Sequence, residues 1–390
     1  MRLDRCFNIE DLRQAAKRRL PHGLFAFIDR ATEDDLARDR NREGFRSLRL
    51  LPRTLVDVAE RSTEALLFGH RHAMPLAVAP AGPAGLFWYK GEAALARAAA
   101  AARVPFTIST YSTTEMAEIA ESGAAIWQQL YLWNDRSLTD AIVARARELE
   151  FQALIVTVDT PVLGQREYLQ RDRFMPPWGP SLGAMAEATL HPRWLLGVAL
   201  RYLANGGLPR VVNMPLPGPD AAAQAEMARR TGLSQSVTWD DIARLRQAWP
   251  RALVIKGILR PEEAERAVAL GCDGIVVSNH GGRNLDSAAS PIDLLPSMVA
   301  AVGGRATVLL DSGVRRGSDI LKALALGASG VLVGRAPLYG VAAGGEAGAL
   351  HALELLRSEL DRTMALTGCR KLDEIGADLI ATPLAGERQP

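Results

Sequence analysis

Eight short apolar runs recur along the chain, and each is followed by a stretch with helical spacing. The runs are Pro75–Pro80, Pro105–Thr110, Ile126–Tyr131, Ala153–Asp159, Leu253–Lys256, Gly274–Ser278, Thr307–Asp311 and Gly330–Gly334. Most are apolar without interruption, as strands buried on both faces are. The helical stretches are Gly91–Arg103, Thr114–Glu121, Leu138–Leu149, Trp239–Trp249, Pro261–Leu270, Ile292–Ala301, Ser318–Leu326 and Ala349–Met364. Thr238 with Asp241 has the spacing of a capping box, and Pro261 suits a first helical turn. Eight strand–helix units close a barrel; five or six would suggest an open doubly wound sheet. The pattern therefore predicts an α/β fold, a (β/α)8 TIM barrel.

Three parts fall outside the repeat. Residues 1–70 read as mostly helical, with amphipathic stretches at Ile9–Leu20 and Phe25–Phe45, and are expected to cap one end of the barrel at 71–370. The connection from Asp159 to Leu253 is too long for a βα loop, so 173–236 is read as an insertion after the fourth strand. The tail, 371–390, is weakly patterned and expected to be loosely held. All of this reads as one domain.

Composition narrows the picture. With 48% apolar and 23% charged residues in 390, the chain is globular. A net charge of +2 gives no electrostatic case for a nucleic acid partner. Cys6, Cys272 and Cys369 are far apart and form neither a disulfide framework nor a cysteine metal site, so no metal is expected. With no signal-like start and no apolar run of about 18 residues, the expected location is cytoplasmic.

The polar residues ending these runs carry the chemistry. A barrel gathers the carboxyl ends of its strands into one mouth. His280, between Asn279 and Gly281 in the run Ser278–Arg283, suits proton transfer beside a cation, Arg283; a surface-loop histidine is the plainer alternative. Asp159 could hold that imidazole in one tautomer, or cap a helix before Pro161. Lys256 must find an anion or shift its pKa, and pairing with a core acid would satisfy it. The loop Asp311–Gly317, with Gly334 and Arg335, matches the recurrent phosphate site after strands seven and eight. With no dinucleotide or Walker fingerprint, NAD and ATP are disfavoured. Gln129, Tyr131 and Arg166 could also face the mouth.

These residues resemble a known family. SNHGGRNLD, the upstream VIKGI, and the downstream DSGVRRGSDILKALALGA and GRAPLYG are similar to the FMN-dependent 2-hydroxy-acid dehydrogenases and oxidases. The resemblance runs from FNIEDLRQAAKRRLP to LTGC, and LHPRWLLGVALRYL in the insertion brings it nearest to the bacterial mandelate and lactate dehydrogenases. It implies FMN as cofactor and His280 as base, with Asp159 as its partner. Arg283 and Arg166 would bind the substrate carboxylate, and Tyr131 the hydroxyl or carboxylate region. Lys256 would stabilise the reduced flavin. Pro80, Ala81 and Gly82, then Ser109, Gln129, Thr157 and Ser278, would contact the flavin ring. Asp311, Gly313, Arg315, Gly334 and Arg335 would hold the phosphate. A homotetramer is also implied.

The chain departs from the family in places. The usual Tyr-x-Tyr is Phe25-Ala26-Phe27 here, so Phe27 keeps the ring and lacks the hydroxyl that meets the carboxylate. Asn284 replaces the usual Gln, which reads as minor, and Tyr111 is expected to narrow the substrate side. The expected activity is oxidation of an L-2-hydroxy acid with an aromatic or bulky side chain, passing electrons to a quinone or oxygen. The alternative suggested by Phe27 is FMN-dependent oxidation of an amine, amide or biosynthetic intermediate. Redox-neutral isomerisation and simple flavin binding are the readings from other classes. In the resembled dehydrogenases the insertion attaches the enzyme to the membrane surface. Here the weak charge favours a flap or subunit contact over peripheral membrane contact through 190–210 on the inner face.

Overall fold

Eight parallel strands form a closed barrel in the computed structural model, which describes residues 3–171, 182–213 and 233–381. A two-residue connection joins an antiparallel hairpin, β1 (Ala65–Leu67) and β2 (His70–His72), ahead of the barrel. The barrel strands are β3 (Leu76–Val78), β4 (Phe106–Ile108), β5 (Ile126–Leu130), β6 (Ala153–Thr157), β7 (Ala252–Ile258), β8 (Gly274–Val277), β9 (Thr307–Leu310) and β10 (Gly330–Val333). Strand β10 pairs with β3 and closes the ring. Seven of the eight predicted runs contain their strands. Seven runs overshoot at the carboxyl end, because their polar final residues have turned out of the ladder. Strand β7 instead runs two residues past Lys256, with a register shift between Lys256 and Ile258.

The core is double. Inside the barrel Trp127, Ile155, Val254, Val276, Leu309 and Leu332 pack on one another, and a larger cluster fills the space between strands and outer helices. The helix Arg335–Thr367 breaks at Gly344–Gly345 and packs against the helices Gly91–Ala102 and Ile9–Arg19.

The first 70 residues serve both ends of the barrel. The helices Ile9–Arg19, His22–Asp29 and Leu36–Ser47 lie toward the carboxyl-end mouth: Thr32 N–H and its hydroxyl both reach the Gly282 carbonyl, at 3.0 and 2.9 Å. The amphipathic stretch read as Phe25–Phe45 is two helices. Asp35, with φ 66°, turns the chain between them and accepts the Ala31 N–H at 2.6 Å. The hairpin closes the opposite end. Leu67 joins the interior cluster, and the Phe68 ring meets Trp127 edge-on at 5.4 Å.

Part of the insertion read as 173–236 lies outside the described residues. Residues 192–204 are helical, with a π segment at Leu195–Ala199. One side of this stretch packs on the loop after β3. Trp194 Nε1 donates to the Leu86 carbonyl at 2.8 Å, and the Tyr202 hydroxyl accepts the Lys90 N–H at 3.0 Å. The other side exposes Leu196, Leu200 and Leu203. As far as it is described, the tail is held in place. Leu51 N–H donates to the Leu379 carbonyl at 2.8 Å, and Leu379 is buried.

Candidate active site

Residues two apart on a strand face the same side. Two positions beyond the apolar interior layer stand Gln129, Thr157, Lys256, Ser278, Asp311 and Gly334. The interior therefore turns polar at the carboxyl-end mouth, and its members touch. Gln129 Nε2 donates to Thr157 Oγ1 at 3.1 Å, and Lys256 Nζ donates to Ser278 Oγ at 3.0 Å. Lys256 Nζ also pairs with Asp311 Oδ2 at 3.1 Å. Burial works against the ammonium, but Asp311 and then Asp159 outweigh it and raise Lys256 above its ordinary value.

After β8 the chain turns through three left-handed residues, His280 (φ 59°), Gly281 (67°) and Gly282 (76°). Gly282 also has no room for a side chain, since a Cβ would stand 2.6 Å from Arg38 N. For His280 this backbone costs about 1–2 kcal/mol. It is held by its own N–H donating to Ser278 Oγ at 3.0 Å and by Gly281 N–H donating to Ser312 Oγ at 2.9 Å. The turn aims the imidazole at Asp159, with Nδ1 to Oδ1 at 2.8 Å. The carboxylate thus fixes the tautomer with the proton on Nδ1, which leaves Nε2 as acceptor. Tyr131 Oη lies 3.5 Å from Nε2.

Burial pushes the His280 imidazole below its ordinary value, against the pull of Asp159. Burial pushes the Asp159 carboxyl up, but His280, Lys256 and the Thr160 hydroxyl prevail and hold it below the carboxylate range. The sequence reading passed over two supports. Thr160 Oγ1 donates to Asp159 Oδ1 at 3.0 Å. Asn284, read as a minor change, donates to the Asp159 carbonyl at 2.7 Å and to Thr160 Oγ1 at 2.8 Å.

Two guanidiniums flank this pair. Arg283 Nη1 donates to the carbonyls of Phe27 at 2.8 Å and Arg30 at 3.0 Å, and its head lies 5.0 Å from the Phe27 ring centre. Arg166 Nη2 donates to the Arg283 carbonyl at 3.3 Å. Burial, then Arg166, brings Arg283 down to about 10. Both cations stay charged at neutral pH. Rings pack alongside: Tyr111 meets Tyr131 at 5.7 Å and, edge-on at 5.9 Å, the fully buried Trp133. Burial pushes both phenols up, so they remain donors. Gly82, after Pro80 and Ala81, lets the loops beyond β3 and β4 meet. A Cβ there would stand 3.0 Å from the Tyr111 carbonyl and 3.2 Å from Ser109.

Four buried polar atoms near the imidazole and guanidiniums have no hydrogen-bond partner among the described residues: Asp159 Oδ2, Arg166 Nε, the Tyr168 hydroxyl and Asn284 Oδ1. Buried polar groups are nearly always paired, so this cluster fits a polar guest.

On the phosphate side two of the expected residues have protein partners. Asp311 faces Lys256 rather than an anion, and a carboxylate would repel a phosphate. The Arg335 guanidinium is taken by three carbonyls, those of Ile28 at 3.1 Å, Gly281 at 2.9 Å and Arg30 at 3.1 Å. Gly334 opens the helix Arg335–Thr367, whose first N–H groups lack helical partners. Gly313 has φ 103° in the loop before Arg315. The Arg315 guanidinium touches the Val314 carbonyl at 2.7 Å and otherwise lies over the Tyr339 ring at 5.8 Å.

A strand-end imidazole held by a carboxylate thus shares one barrel mouth with a buried ammonium and two guanidiniums. Residues 16–382 match the family model described as FMN-dependent dehydrogenase. The (S)-mandelate dehydrogenase of Pseudomonas putida is 39% identical over 375 residues, 96% of this chain and 93% of that one. The L-lactate oxidase of Nostoc sp. is 41% identical over 378 residues, 96% of this chain and 97% of that one. The crystal structure of the "monotopic membrane protein (S)-mandelate dehydrogenase" superposes with a TM-score of 0.90 at 39% identity, covering 97% of this chain and 99% of that one. The chain belongs to the FMN-dependent 2-hydroxy-acid dehydrogenase and oxidase family and is an FMN-dependent oxidoreductase.

Proposed function

We propose that the enzyme oxidises an L-2-hydroxy acid with an aromatic or bulky side chain to the 2-keto acid. The observation that carries this reading is the His280–Asp159 contact at 2.8 Å, with Nε2 turned toward Tyr131 and both guanidiniums alongside. Arg166 and Arg283 hold the carboxylate and so fix which hydrogen of the substrate faces inward. His280 Nε2 receives a proton from the substrate, and Asp159 stabilises the imidazolium formed. Tyr131 donates to the substrate oxygen. The rings of Tyr111 and Tyr131, with buried Trp133 packed against Tyr111, support a ring-bearing side chain, as in the mandelate relative.

FMN, when bound, supplies the two-electron acceptor. The residues present fit it. Lys256, Gln129, Thr157, Ser109 and Ser278 would hold the ring, and Lys256 brings a charge that Asp311 secures. Gly313, Arg315, Gly334 and the main-chain N–H of Arg335 would hold the phosphate at a helix start. The acceptor after FMN is a quinone or oxygen, since the relatives include a dehydrogenase and an oxidase. The exposed leucines of 192–204 support a peripheral membrane site.

Anaerobic bleaching of the flavin with mandelate, lactate, glycolate, a long-chain 2-hydroxy acid and mandelamide tests this reading. Mandelate should bleach fastest. Bleaching by the amide alone would move the activity to uncharged substrates, which Phe27 would then explain. Rapid recolouring in air would assign an oxidase.

A further inference from the structure

Phe27 cannot donate a hydrogen bond, yet a phenol stands next to it. Tyr168, on the short helix Glu167–Arg171, packs with Ala26 and Leu169, and the Phe27 ring lies against the same cluster. Tyr168 is 4% exposed. Its ring is fixed from one side by the Arg30 guanidinium, 5.1 Å from the ring centre. Its hydroxyl has no hydrogen-bond partner among the described residues. Even so, it lies beside Arg283 and near Arg166, two cations that cannot accept its proton. Arg166 Nε, two residues away in sequence, is orphaned in the same way. A hydroxyl buried beside two cations finds no acceptor for its proton, and a buried donor left unpaired costs free energy. One anion placed among Arg166, Arg283 and Tyr168 would satisfy all three.

We propose that Tyr168 is a substrate-binding residue whose hydroxyl donates to the substrate carboxylate, in the role the ring at position 27 cannot fill. The donor is moved from the first helices to the loop after β6, and Phe27 keeps only the packing part under Arg283. The inference rests on the 2-hydroxy-acid reading and adds which group recognises the acid end.

The test is equilibrium binding of phenylglyoxylate and of its amide to the FMN-loaded enzyme, read by perturbation of the flavin spectrum. Tyr168→Phe should weaken the acid by ~10-fold or more and change the amide by less than about twofold, because a lost bond to a charged group costs more. Phe27→Tyr in the Y168F background should recover most of the loss. Unchanged acid binding in Y168F overturns the inference. So does an equal loss for acid and amide, which would mean the phenol only packs, and so does failure of Phe27→Tyr to restore binding. Wild-type enzyme that binds neither phenylglyoxylate nor pyruvate would instead overturn the hydroxy-acid reading itself.

Discussion

His280 is a strained residue of the mouth and, on the proposed reading, its base. Its left-handed backbone is stabilised by Ser278, and its side chain is held by Asp159. The sign of its pH dependence follows from the two opposing influences. Burial favours the neutral imidazole, Asp159 favours the charged one, and the net shift is downward from 6.5. Only the neutral form can accept a proton, so kcat/KM should rise through an acid limb centred below pH 6.5. Asp159→Asn removes the group that raises the pKa. The limb should then move to still lower pH while the plateau falls by ~10²–10⁴-fold, since the imidazolium loses its partner. A pH series of flavin reduction rates checks both effects, and a limb that moves upward would contradict the assigned roles. The candidates that are neighbours in sequence, Ser278 to Arg283, were legible because one turn carries them. Pairings across the mouth were not. That Asp311 serves Lys256, and that Arg335 is occupied by three carbonyls, follows from which strand ends face each other. Tyr168 carries no period or motif, and only its orphaned hydroxyl reveals it.

The hairpin β1–β2 shows how an element of six strand residues can matter to the barrel's stability. It seats Leu67 and Phe68 in the end away from the active site, and His72 on β2 is buried with Nε2 unpartnered. Burial brings His72 down to about 4. Its folded value is depressed relative to about 6.5 when unfolded, so the unfolded chain binds its proton first. The associated stability is whole above pH 6.5 and is lost as pH falls toward 4, by roughly 1–3 kcal/mol. Urea unfolding at pH 7 and pH 5 should show that loss, and His72→Gln should flatten it; equal slopes for both proteins would rule His72 out as its source. The sequence did not betray this hairpin, because His70-Arg71-His72 has no apolar alternation. The barrel strands, apolar on both faces, stood out for the opposite reason. The second amphipathic stretch misled because helical spacing continues across the turn at Asp35.

At the scale of the whole molecule, the insertion separates two surfaces. Trp194 and Tyr202 fasten it to the loop after β3, while Leu190, Leu196, Leu200, Leu203 and Leu208 stand exposed. Arg193, Arg201 and Arg210 are exposed among them. Leucines flanked by arginines suit the boundary of an anionic bilayer, where apolar burial and charge attraction add. No helix among the described residues is long and apolar enough to cross a membrane. At about 1.5 Å per residue, 192–204 reaches only about 20 Å, less than the ~30 Å hydrocarbon core, so it would lie in the interface. The enzyme should co-sediment with vesicles containing phosphatidylglycerol, and less so as salt rises. The double change Leu196→Glu and Leu203→Glu should release it, with anaerobic flavin bleaching unaltered, because neither side chain belongs to the mouth. Wild-type enzyme left in the supernatant at low salt would reduce the insertion to a flap. Release together with slowed bleaching would show instead that the surface and the active site are not independent, which the shared contact at Leu86 makes the specific alternative to measure.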